Sequence, residues 1–139
     1  MKKLLLVLCV LGAVCACSKN KKASSGLNKD LIGVWHLEQI STKAAQIGEY
    51  EVDVWLQFEK SKKFIEFQKV GTAGRYEVYK GSLKASKGIL SGTFEDGTAF
   101  GNWEYEIDQS GDLILTRGGE TDYYSKQSEI PEEVIENTY

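Results

Sequence analysis

Across 31–126 the chain switches every few residues between apolar–polar alternation and a cluster of turn formers, and no interval is long enough to carry a crossover helix. That feature removes most folds. Parallel neighbours need a connection of a dozen or more residues, so these runs pair antiparallel. Eight of them recur at intervals of roughly 8–12 residues, the pattern of an all-β barrel or sandwich. They are 31–42, 50–59, 63–69, 75–83, 88–95, 100–107, 112–117 and 121–126. In 50–59 the period is two, which puts Tyr50, Val52, Val54, Leu56 and Phe58 on one face.

The breaks carry turn chemistry. Asp96-Gly97 suits a type I′ hairpin turn, whose two central residues both need positive φ. The stretches "DQSGD" (108–112) and "RGGE" (117–120) are tight polar connections. Pro131 opens "PEEVIEN", where its fixed φ suits the first turn of a short helix, with Glu132 and Glu133 near the positive end. The simplest topology is a meander that closes into an eight-stranded antiparallel up-and-down barrel with a short C-terminal helical turn. Closure removes the exposed edges that an open sheet must guard. A two-sheet sandwich is the alternative. Interior candidates are Val52, Val54, Leu56, Phe58, Leu90, Phe94, Trp103, Tyr105, Leu113 and Leu115. At 64–67, "FIEF" leaves two choices for the inward face, Phe64 or the pair Ile65 and Phe67.

The first residues obey other rules. Lys2 and Lys3 precede an apolar run over 4–14, and small residues follow, which is a secretory signal layout. The run is short of the roughly 20 apolar residues that span a bilayer. All three cysteines, Cys9, Cys15 and Cys17, lie within this segment. "VCAC" (14–17) resembles the bacterial lipobox, in which the cysteine at +1 is alkylated by diacylglycerol before cleavage. That resemblance assigns 1–16 to a lipoprotein signal peptide and makes Cys17 the lipidated residue. Cys15 is the alternative +1, disfavoured because Val14 is then a β-branched −1. Residues 17–28 form a polar, Lys-bearing tether, and 29–139 form the domain. Loss of Lys2 and Lys3 leaves 15 basic against 20 acidic side chains, a balance of −5, and such a chain is a poor ligand for nucleic acid.

Gly33-Val34-Trp35 opens the first run and resembles the G-x-W signature of lipocalins and other calycin barrels. With "LSGTFEDGTAFGNWEYEI", "GDLILTR", "YYSK" and "IPEEV", residues 29–136 resemble the lipocalin-like domain of many small Gram-negative lipoproteins. The resemblance implies that Trp35 plugs one barrel end beneath a basic side chain from the last strand, here Lys126. Arg117, at the end of the preceding run, is the other candidate. It also implies a small hydrophobic or amphiphilic ligand among the inward side chains Val52, Val54, Leu56, Phe58, Leu90, Phe94, Trp103 and Tyr105. The expected location is the cell envelope, lipid-anchored to the outer membrane and facing the periplasm.

Catalytic chemistry is hard to assemble from these residues. His36 is the single histidine, points away from Trp35, and lacks evident partners. Glu104 and Glu106 share the face opposite Trp103 and Tyr105, as a solvated strand face does. "DQSGD" has carboxylates spaced as in some calcium loops, without the rest of the ligand set. No phosphate loop, dinucleotide fingerprint or nucleophile elbow occurs. The expectation is a protein without enzymatic activity, metal or cofactor. It holds a ligand in its barrel or, alternatively, presents a filled barrel to another envelope component.

Overall fold

The computed structural model describes residues 27–42 and 51–139. The expected signal segment, the expected lipidation residue Cys17 and most of the expected tether lie outside the described residues. Eight strands follow in order: β1 (Gly33–Thr42), β2 (Val52–Phe58), β3 (Lys63–Val70), β4 (Glu77–Ser86), β5 (Ile89–Phe94), β6 (Ala99–Ile107), β7 (Leu113–Arg117) and β8 (Glu120–Gln127). Each is antiparallel to its neighbour, and β8 returns to β1, so the sheet is a closed barrel. The β1–β8 register sets Trp35 opposite Lys126 and Leu37 opposite Tyr124, with a bulge between Leu37 and Gln39.

Alternation decides what faces the axis. Trp35, Phe58, Phe64, Leu83, Leu90, Leu113 and Leu115 point inward and are almost fully buried. Each contributes about 1.5–3 kcal/mol by leaving water. Leu27 and Leu31 join this cluster below Trp35, so packing reaches two residues into the stretch assigned from sequence to the tether.

A second cluster lies outside the barrel. Val34, Trp55 and Phe67 on the outer face meet Tyr76, Ile130 and Val134. The helix α1 (Glu132–Glu136) supplies Val134, with Pro131 as its N-cap residue at φ −57°. The following chain is tied down by the Tyr76 amide, which donates to the Asn137 carbonyl at 2.8 Å. This explains the ambiguity at 64–67. Phe64 faces the barrel core, while Ile65 and Phe67 pack in the outer cluster beneath the C-terminal segment, so each face of β3 carries a buried phenylalanine for a separate reason.

The turns differ from expectation at one site. Gly97 has φ +88°, but Asp96 does not share the positive φ of a type I′ turn. Instead the Gly97 amide donates to Phe94 and the Phe94 amide to Thr98, a longer hairpin loop in which the Asp96 carboxylate accepts from the Thr98 amide at 2.8 Å. Pairs of positive φ values fall at Lys87 and Gly88, between β4 and β5, and at Gly118 and Gly119, between β7 and β8.

Candidate functional site

The two ends of the barrel are built differently. At one, Trp35 closes the axis, and its indole N–H donates to the Leu31 carbonyl at 3.0 Å. Lys126 Nζ stands 5.0 Å from the Trp35 ring centroid and donates to the Asp30 carbonyl at 3.4 Å. Gly33 lies beneath it, where an added Cβ would meet Lys126 Cε at 3.2 Å. Arg117 does not serve this tryptophan. Its guanidinium lies 4.1 Å from the ring of Trp103, toward the other end. That stacking requires glycine at 101, where φ is +100° and a Cβ would come within 2.5 Å of Arg117 Nη1.

Above the packed half, the interior opens into a cavity of about 270 Å³. Val52, Val54, Leu56, Phe94 and Trp103, all expected at a ligand site, line it together with Leu37 and Leu115. Phe58, Leu90 and Tyr105 do not. Phe58 and Leu90 sit deeper, in the filled half, and Tyr105 packs against the margin of that cluster near the β4–β5 turn. Inward orientation alone therefore did not place a residue on the cavity; its height along the axis also counts.

The polar lining was not anticipated. Glu66 and Gln68 come from β3, Arg117 from β7, and Glu120, Asp122 and Tyr124 from β8. The signal was the alternation itself. Once Phe64 faces inward, Glu66 and Gln68 must follow, and Tyr124 brings Asp122 with it. Asp122 is 7% exposed, and its Oδ1 has no hydrogen-bond partner. Burial pushes its pKa up to about 6, and Glu120 adds to the rise, against the opposing pull of Arg117 and Tyr124. Burial also pushes Glu66 up to about 7. Tyr124 is raised well above the usual phenol value, first by burial and then by the charges of Asp122, Glu66 and Glu120. The chamber thus has a mixed wall, in which poorly solvated carboxyl groups lie beside apolar side chains, Asp122 next to Leu115 and Glu66 next to Leu56.

His36 lies on the outer face, stacked on Trp55 at 4.1 Å between ring centroids. It is not without partners. Nε2 is 2.9 Å from Asp53 Oδ1, and Nδ1 is 3.3 Å from Glu38 Oε1. The Tyr76 hydroxyl donates to the other oxygen of Asp53, which links this group to the segment holding α1. Glu104 and Glu106 are exposed. Asp108 accepts from the amides of Ser110 and Asp112 and so closes the β6–β7 hairpin. Among the described residues, no three His, Cys, Asp or Glu side chains converge as metal ligands do.

No protein-family model matches the sequence, and no curated protein matches it. Among solved structures, the fold is shared with lipoprotein YedD. That protein, from Klebsiella pneumoniae subsp. pneumoniae MGH 78578, is 12% identical in sequence and superposes with a TM-score of 0.52. The match covers 81% of this chain and 84% of YedD. At this identity the likeness is one of architecture, the closed antiparallel barrel.

Proposed function

We propose that the protein is a lipid-anchored, lipocalin-like lipoprotein of a Gram-negative envelope that holds a small amphiphilic ligand in the open half of its barrel. The observation that carries this reading is the cavity of about 270 Å³ beside Trp103, whose lining combines apolar and ionisable side chains. It falls just under the roughly 300–1,000 Å³ of ordinary ligand pockets, so the ligand is small. The anchor rests on "VCAC" at 14–17 and on the lipoprotein nature of YedD. Placement in the outer membrane, facing the periplasm, rests on Ser18 after Cys17, where inner-membrane retention favours aspartate. The reading is non-enzymatic.

A second reading is favoured by the outer face. Ile135 and Tyr139 are 52% and 78% exposed beside a groove along β3 and β4. On this reading that face docks another envelope protein.

Native mass spectrometry of the full chain purified from its host, joined to tryptophan fluorescence titration, separates the two. A retained small molecule, or saturable quenching that Trp103→Phe abolishes, is the expected result. No retained molecule and no saturable response to fatty acids, retinoids and small amphiphiles would leave the docking reading in its place.

A further inference from the structure

Three carboxylates, Glu66, Glu120 and Asp122, border the cavity, and one cation, Arg117, borders it with them. Arg117 offsets this negative charge only in part: its pull on Asp122 is outweighed by burial and by Glu120. Its guanidinium is stacked on Trp103, and no ion pair joins it to a carboxylate among the described residues. Asp122 is the sharper observation. A side chain more than nine-tenths buried, with an oxygen lacking any hydrogen-bond partner, is costly to keep in a fold. Buried polar groups are normally satisfied, and an exception at a cavity wall marks a place where something else supplies the donor. Apolar side chains share the lining with these carboxyls: Leu115 pairs with Asp122 across β7 and β8, Leu56 pairs with Glu66 across β2 and β3, and Leu37, Val54 and the Trp103 indole also border it.

Resting on the reading of the barrel as a binding protein, we infer that its ligand is a small organic amine. Its ammonium donates to Asp122 and Glu66, and its short apolar body lies against Val54, Leu115 and Trp103. An ammonium offers donors and no acceptor, which is what the unpartnered Oδ1 of Asp122 requires. In a chamber of low dielectric such a charge-assisted bond is about twice as strong as a neutral one. An organic anion meets three carboxylates instead and is rejected. The volume of about 270 Å³ holds a single ring or a short alkyl chain.

The test uses the full chain in lipid nanodiscs, with empty nanodiscs as the blank, and three probes of matched shape: 2-phenylethylamine, 2-phenylethanol and 3-phenylpropanoate. Calorimetric titration at pH 7.5 is expected to show saturable binding of the amine, at least tenfold tighter than of the alcohol, and none of the anion. Asp122→Asn and Glu66→Gln each weaken the amine at least tenfold and leave the alcohol unchanged. Amine affinity falls as pH drops from about 7 to 5, because Asp122 and Glu66 take up protons. Glu120, Arg117, Tyr124 and, beside Glu66, Tyr79 are the other charged or titratable groups facing them. If the alcohol binds as tightly as the amine, or the two variants bind amine normally, the amine assignment falls and the binding reading stands. If none of the three probes binds, and the fatty acids, retinoids and amphiphiles also fail, both fall.

Discussion

Asp122 and Glu66 are carboxyl groups whose burial in the barrel is costly when they are ionised. Their pKa values in the fold, about 6 and about 7, lie above the ordinary 3.8 and 4.5. Folding therefore takes up protons between pH 4 and 7. The stabilisation is fully present below about pH 4 and is lost as pH rises through 6 and 7. At pH 8 both carboxyls are ionised in a dry site, so Asp122→Asn and Glu66→Gln are each expected to raise stability there by about 1–3 kcal/mol. The gain shrinks toward zero at pH 4. Urea unfolding of parent and variants at the two pH values measures it. Equal or lower stability of both variants at pH 8 would mean that neither carboxyl is held in a dry environment. Trp35 is costly for the opposite reason, because its whole indole is packed. Trp35→Ala is expected to destabilise by about 3–5 kcal/mol, and a loss under 1 kcal/mol would show that it does not plug the axis.

At the scale of elements, the strands were legible and the site was only half so. Period-two runs between turn clusters located all eight strands to within three residues at each end, because alternation is imposed by the pleat wherever one face is buried. The same rule misled where a second layer covers the first. In β3 each face carries a buried phenylalanine, and nothing local says that Val134, some 70 residues on, covers Phe67. Glu66 and Asp122 were passed over since a carboxylate in an alternating run ordinarily faces water. Only the closed barrel shows that their faces turn inward. The helix gives a prediction at this scale. Val134→Ala removes the one fully buried side chain of α1 and is expected to cost about 1–3 kcal/mol. The cavity lies on the other side of the sheet, so probe binding is expected to stay within twofold of the parent. A larger change in affinity would mean that α1 and the chamber are coupled through β3.

For the whole molecule, the order of the chain fixes a polarity. It enters the described barrel at Leu27 and Leu31, beside the end that Trp35 closes, while the cavity lies toward the far ends of β1, β3 and β7. A lipid on Cys17 would therefore hold the barrel from its closed end, through roughly ten residues that reach at most about 35 Å, with the cavity directed away from the bilayer. A single acyl chain usually needs a second signal to fix a protein to a membrane, whereas the diacylglycerol implied by the lipobox resemblance brings two chains at once. The expected result follows from that difference. In detergent phase partitioning, the parent and Cys15→Ala enter the detergent phase as processed protein, and Cys17→Ala remains unprocessed. Attachment through the closed end also predicts that amine affinity in nanodiscs matches that of the processed protein in detergent micelles. A mature Cys17→Ala species in the detergent phase would refute the anchor. An affinity that collapses on reconstitution would instead show that the mouth of the barrel, and not its plugged end, faces the membrane.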